Sequence, residues 1–241
     1  GVRRRAKYIV IELDGGRVWV THLRMSGKYR FVPPGGAARA VAESPETSLD
    51  PDPGEARYVR ATFEFEDGGR LLYVDPRTLG QMEVAEASAW RERAAGLGPE
   101  PLDPDFTPEA LLERLAATRR AVKVALLDQA VVAGLGNIYV NEALWRARVS
   151  PRRRGVNLGP MRAGRLHRAI VDVLEEAVGK RGTTLGATYL DWADAEGEAG
   201  GFYDFLDAYG REGGACRRCG TPIRRIVQAQ RSTWYCPGCQ R

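Results

Sequence analysis

The chain has 241 residues, with 36 Lys and Arg against 31 Asp and Glu, a formal net charge of +5, 28% charged and 44% hydrophobic residues. That length buries a sizeable core and holds two modest domains, and no apolar run nears the roughly 18 residues of a membrane span. A pI near 9.2 favours a polyanionic partner without proving one, since many basic proteins bind no nucleic acid.

The opening "GVRRRAKYIV" is a basic cluster running into an apolar segment, with no signal-peptide core behind it, so the expectation is a cytoplasmic protein. Alternating apolar and polar residues over 7–13, 17–24 and 28–32 predict strands, with "DGG" at 14–16 as a turn. Residues 33–55, rich in Pro, Gly and Ala, read as a mobile loop. A second hairpin follows across 57–75, so the first domain, 1–95, is mostly β. The proline-rich "GLGPEPLDPDF" at 96–106 is an interdomain linker. Beyond it the period becomes helical, over 108–118, 121–131, 138–148 and about 160–180. The last segment places Leu166, Ile170, Val173, Leu174 and Val178 on one face. Residues 186–208 read as a long loop, and no internal repeat is visible.

All four cysteines, Cys216, Cys219, Cys236 and Cys239, lie near the C-terminus as two Cys-x-x-Cys knuckles. That spacing sets four thiolates tetrahedrally around one structural zinc, and the strand-like "TPIRRIV" and "RSTWY" between them form a hairpin. A redox pair is the alternative, and the absence of a thioredoxin-like pattern argues against it. The two histidines, His22 and His167, are distant and are not needed as ligands. A closed four-thiolate site leaves no open coordination position, so its metal folds the hairpin and does not catalyse.

Arg231, with Arg224 and Arg225, sits on that hairpin, where a guanidinium on a rigid ribbon suits a phosphate and a solvated arginine is equally open. "GLGNIYVNEALW" at 134–145 opens a helix behind Gly134 and Gly136, with Asn137 at the start. Such a turn lets backbone N–H groups approach an anion, although an ordinary tight turn also accounts for it.

Taken in order, "RRAKYIVIEL", "THLRMSGKYR", "YVDPRTLG", "LGPEPLDPDF", "GLGNIYVNEALWRARVSP", "GTTL", "YGREG" and "QRSTWYCPGCQR" resemble the formamidopyrimidine-DNA glycosylase and endonuclease VIII family, the bacterial formamidopyrimidine branch in particular. The resemblance implies a two-domain α+β fold. An N-terminal β-sandwich (1–95) is followed by a linker (96–106), a helix–two-turn–helix domain with a lesion-covering loop (107–209), and a zinc hairpin (210–241).

The resemblance further implies a monomer that binds damaged double-stranded DNA and excises oxidised purines by base flipping and Schiff-base chemistry. Lys7, Asn137 and Arg231 match the family's phosphate-gripping trio. Met25 matches the void-filling residue, and Arg77 the residue that pairs with the orphaned base. Leu79 stands where the family commonly carries a wedging phenylalanine. Glu142 matches an acidic helix residue tied to active-site integrity, with a solvated charge as the plain alternative. His22 is read as structural. Ala56 and Tyr58 replace a frequent His-x-His pair, and 183–205 resembles the loop over the flipped base.

In this family an N-terminal Pro-Glu supplies the amine nucleophile and its acid. Because the chain opens at Gly1, the expectation is an N-terminal domain without its front, that pair being absent. Lys7 is a poor substitute nucleophile, since an exposed lysine is mostly protonated at neutral pH. The alternative function is then a non-catalytic damaged-DNA-binding protein.

Overall fold

The computed structural model describes residues 1–34, 53–186 and 193–241. Strands β1 (Val2–Arg5), β2 (Tyr8–Glu12), β3 (Arg17–His22), β4 (Lys28–Val32), β5 (Val59–Glu64), β6 (Arg70–Val74) and β7 (Gln81–Glu86) form the first domain, with short α1 (Pro53–Ala56) and α2 (Ala87–Ala95). They pair into a four-stranded sheet of order β1-β2-β3-β7 and a three-stranded sheet of order β4-β6-β5. All registers are antiparallel, with Tyr8 opposite His22 and Lys28 opposite Val74. Trp19 of the first sheet lies 4.3 Å from Phe63 and 6.2 Å from Tyr29 of the second, ring centre to ring centre, so aromatic side chains fill the space between the layers. The expected mobile loop at 33–55 falls largely outside the described residues, and so does part of the loop at 186–208.

Val10, Val18 and Val20 are buried against Trp90 of α2, and β1 is paired along its length with β2. Arg3 and Glu12 form an ion pair beside that pairing. Two elements, β7 and α2, have no clear signature in the sequence. "QMEVAE" alternates too weakly for a strand, yet six ladder positions on β3 hold it there. The β3 segment stops at His22, two residues early, because Arg24 adopts a left-handed φ of 55° that breaks the ladder.

The second domain packs α3 (Pro108–Ala116), α4 (Val122–Leu126), α5 (Asn137–Arg146) and α6 (Pro160–Gly179) around one core that includes Leu111, Leu115, Leu126, Leu144 and Ile170. Thr107 caps α3 by accepting from Ala110 N–H at 3.2 Å, with Pro108 behind it. The expected helix over 121–131 shrinks to α4. Asp128 accepts from Ala130 N–H at 3.0 Å, and Gln129 bonds the carbonyls of Leu127 and Leu135 and the N–H of Gly134. These local bonds win the backbone away from the helix. On α6 the buried face runs through Leu166, Ile170 and Val173, but Val178 is 69% exposed and Ala177 takes its place inside. Strands β8 (Arg224–Gln228) and β9 (Arg231–Tyr235) form the terminal hairpin, which docks on α5.

Candidate nucleic-acid interface

Lys7 sits in the two-residue turn between β1 and β2, where Ala6 takes a φ of 53°. The turn is anchored to the linker through Glu100, which is nearly buried. Its carboxylate accepts from Ala6 N–H (2.5 Å), Arg5 Nη1 (2.7 Å) and Arg4 Nη1 (2.5 Å). Arg5 Nη2 also bonds the carbonyls of Leu97 and Gly98, at 2.9 and 2.8 Å. Linker and first domain are thereby joined at the base of the Lys7 side chain.

The Lys7 amine reaches the start of α5, 3.9 Å from where a Cβ on Gly136 would stand. Asn137 opens that helix, and its Nδ2 donates to the carbonyl of Ser232 at 3.1 Å. One turn later, Asn141 Oδ1 accepts from Trp234 N–H at 2.8 Å, which fixes β9 along the helix. The hairpin tip turns through Ala229 and Gln230, with φ values of 46° and 59°, so that Arg231 begins β9 beside this contact.

A residue overlooked in the sequence joins the cluster. Lys123 on α4 is fully buried, and its Nζ lies 3.4 Å from the same Ser232 carbonyl. Its signal was a lone charge inside the apolar "VKVALL", a pattern that periodicity alone scores as a solvated face.

The cluster is electrostatically unfinished. Burial, then Arg231, then Arg24 push the Lys7 amine down to about 8. Burial and Arg231 do the same to Lys123, also to about 8. Neither ammonium forms an ion pair with a carboxylate among the described residues. Cations crowded around backbone N–H groups at a helix start make an anion site. The structure therefore brings Lys7, Asn137 and Arg231 together.

Met25, Arg77 and Leu79 project from two neighbouring loops of the first domain, with Met25 62% and Leu79 51% exposed. Asp75, itself buried, ties the loops together. Its Oδ1 accepts from Ser26 Oγ (2.6 Å) and Arg77 N–H (3.3 Å), and its Oδ2 accepts from Gly80 N–H (2.8 Å) and the Tyr73 hydroxyl (3.3 Å). Burial alone raises the Asp75 carboxyl, but these bonds outweigh it and hold the group below its ordinary value. Gly80 is required here, because a Cβ would lie 1.6 Å from the Tyr73 oxygen. The neighbouring His22 accepts from Arg24 N–H at Nδ1 (3.0 Å) and meets the Tyr8 ring edge-on, in keeping with a structural role. Tyr58, at a position where the family often carries histidine, packs with the Val32, Leu72 and Val74 cluster. Ala56 ends α1 as an exposed residue.

Glu142 corrects the solvated alternative. It is fully buried on α5 and accepts from Asp207 N–H (2.7 Å), Ala208 N–H (3.0 Å) and Tyr209 N–H (2.7 Å). Burial raises its carboxyl, and the three N–H donors oppose that rise. It pins the chain between the loop at 183–205 and the hairpin. Of that loop, residues 187–192 lie outside the described residues. The remainder reaches the first domain, where Phe31 N–H donates to Ala195 O (2.9 Å) and Arg30 Nη1 to Asp194 O (3.2 Å).

The four cysteine sulfurs lie within 4.8 Å of one another, and none is in a disulfide. A tetrahedral ion with bonds of about 2.3 Å needs sulfurs about 3.8 Å apart, so the cluster fits a metal ion. The Thr221 hydroxyl and backbone hold the Cys219 thiol down to about 6, while burial and the neighbouring sulfurs push the Cys239 thiol up to about 12. Trp145, Ala208 and Ile223 pack against Cys216 and Cys236, joining the cluster to the helical domain.

Comparison with known proteins gives three consecutive family matches. They are the formamidopyrimidine-DNA glycosylase N-terminal domain over 1–82, the formamidopyrimidine-DNA glycosylase H2TH domain over 97–188, and a zinc finger found in FPG and IleRS over 213–241. The first match corrects the expectation of a domain without its front: the N-terminal domain is present. A formamidopyrimidine-DNA glycosylase of Geobacillus kaustophilus is 44% identical over 243 residues, covering 100% of this chain and 81% of the relative. That of Symbiobacterium thermophilum is 42% identical, covering 99% of this chain and 72% of the relative. Among solved structures, MutM (Fpg) of Thermus thermophilus superposes with a TM-score of 0.83 at 38% identity, covering 99% of this chain and 81% of that one. Lactococcus lactis Fpg bound to DNA with an abasic site superposes at 0.82 and 32% identity, covering 100% and 81%.

Proposed function

Because the chain belongs to the formamidopyrimidine-DNA glycosylase family, we propose that it acts in base-excision repair on duplex DNA bearing oxidised purines, 8-oxoguanine and formamidopyrimidines, as a glycosylase and abasic-site lyase. Lactococcus lactis relatives have been solved with Fapy-dG and with abasic-site DNA, which matches a lesion that is first recognised and then emptied.

One observation carries the reading. Lys7 from the first domain, Lys123 and Asn137 from the helical domain and Arg231 from the hairpin converge on one anion-ready point. Phosphates on either side of a damaged nucleotide fill that point, and drawing them together rotates the nucleotide out of the stack. The Arg24 guanidinium, which acts on Lys7, brings the Met25 loop to the rim of the same site. Met25 and Leu79 then enter the space left by the base, and Arg77 meets its orphaned partner. Leucine fills volume but gives no aromatic stacking face. The described part of the loop at 193–205, attached to β4 at Phe31, lies on the side of the extruded base. The four thiolates hold one structural Zn2+ that keeps Arg231 on a rigid ribbon.

In the cleft, Lys7 and Lys123 are phosphate-holding ammonium groups. Lyase chemistry requires an amine that forms an imine with the sugar C1′, and borohydride reduces that imine to a stable adduct. Incubating the zinc-loaded protein with an 8-oxoguanine duplex and borohydride tests the enzyme. A covalent protein–DNA band would support the catalytic part and require an amine other than Lys7 and Lys123 as the nucleophile, and lesion binding without any band would overturn that part and leave the alternative of a damaged-DNA-binding protein. Arg231→Ala tests the clamp. Its salt slope should fall by about 1 on every sequence, and an unchanged slope would remove the assignment.

A further inference from the structure

The segment "SPRRRGVNL" between α5 and α6 has no part in the cluster of Lys7, Lys123, Asn137 and Arg231 described above. It bounds a recess of about 430 Å³ lined by Ser150, Arg152, Arg153, Arg154, Asn157 and Arg241. Its backbone is held firmly. Arg153 O accepts from Val122 N–H at 2.7 Å, Gly155 N–H donates to Arg120 O at 3.0 Å, and Arg154 bridges Ala121. Gly155 permits this approach, since a Cβ there would lie 2.1 Å from Leu115 O.

Four arginines line the recess. No acidic side chain lines it, and none of its arginines forms an ion pair among the described residues. Arg153 donates through Nη1 to Asn157 O at 3.2 Å, yet its buried Nε has no partner. Burial and then nearby Arg162 both lower the pKa of this guanidinium. Arg152 lies over the Tyr235 ring at 5.7 Å, which limits where its head points. Several guanidinium forks around one opening suit the oxygens of a phosphate.

Its position says which phosphate. Gln228 Nε2 donates to Pro151 O at 3.2 Å, and Gln228 is the strand partner of Arg231. Val122, which holds Arg153, directly precedes Lys123. The recess thus continues the cationic cluster along two of its own elements. The geometry points to a second phosphate site here, taking a backbone phosphate of the same duplex, away from the lesion, in the fork of Arg152, Arg153 and Arg154. This rests on the proposed DNA clamp and extends its footprint along the strand.

Single phosphates replaced by uncharged methylphosphonates test it on the full zinc-loaded chain. Wild type should lose affinity at phosphates beside the lesion and at a second, separate position. Arg152→Gln/Arg154→Gln, at two exposed side chains, should erase only the second loss and lower the salt slope by about 1 to 2. Arg231→Ala should erase only the first, so the two assignments fail separately. A single region of sensitivity, or a second region untouched by the double variant, would overturn the proposal. Inorganic pyrophosphate provides the other arm. If it binds wild type better than the double variant while both keep one DNA footprint, the recess is a free-anion site, and the DNA assignment is wrong.

Discussion

Lys123→Met separates the cost of the cleft from its use. Lys123 is fully buried, with the Ser232 carbonyl 3.4 Å away and Arg231 close enough to help depress its amine to about 8, against an ordinary value of 10.5. A lysine whose folded value lies below its unfolded one costs stability at every pH below the folded value. That cost fades as pH rises from about 8 to 10.5. The gap corresponds to about 3 kcal/mol as an upper bound, so removing the charge while keeping the hydrophobic stem should stabilise the free protein by about 1 to 3 kcal/mol at pH 7. For the DNA complex the sign reverses, because a phosphate restores the ordinary value. Below pH 8 both lysines enter the complex already charged. Above it, each must take up a proton, and affinity falls by up to about tenfold per pH unit per lysine. Thermal melts at pH 7 and fluorescence anisotropy on a lesion duplex at constant ionic strength, from pH 7 to 9.5, read both effects. Lys123→Met should melt higher, bind more weakly at pH 7, and show a shallower pH dependence than wild type. A variant that melts lower and keeps the full pH slope would refute the electrostatic account.

If the four cysteines hold the proposed zinc, a chelator should unfold the Cys216–Cys239 hairpin and abolish DNA binding, with loss of hairpin signals in NMR and of duplex retardation, because Arg231 then has no rigid support. Glu142→Ala leaves one buried and two half-buried N–H groups without an acceptor and should cost about 3 kcal/mol, read as a lower denaturant midpoint. Gly80→Ala, with its Cβ driven toward the Tyr73 oxygen, should displace Leu79 and Arg77. A 2-aminopurine opposite the lesion would then report weaker unstacking, while salt dependence stays unchanged. Leu79→Phe should strengthen that same unstacking, since an aromatic ring adds a stacking face.

The sequence by itself determined whatever depends on local spacing. The two Cys-x-x-Cys knuckles, the apolar face of α6 up to Val173, the start of a helix at 108 and the alternation in β2 and β3 are short-range patterns, and the structure keeps them. The residues alone left Asn137 and Arg231 open, and only the family resemblance grouped them with Lys7. Only tertiary structure decided what surrounds them. Lys123 carried no reading in the sequence and is buried because α4, α5 and β9 close around it, and the solvated alternative for Glu142 fails because residues 207–209 turn their N–H groups onto it. β7 pairs because β3 offers six ladder partners, and Val178 faces solvent because Ala177 fills the packing position beside Phe202 and Leu206. Burial and electrostatic shifts come from atoms distant in the chain, so no local window contains them. Asp75 makes the same point from the polar side: its two oxygens gather donors from the loops that carry Met25 and Arg77, a constraint that exists only when those loops meet.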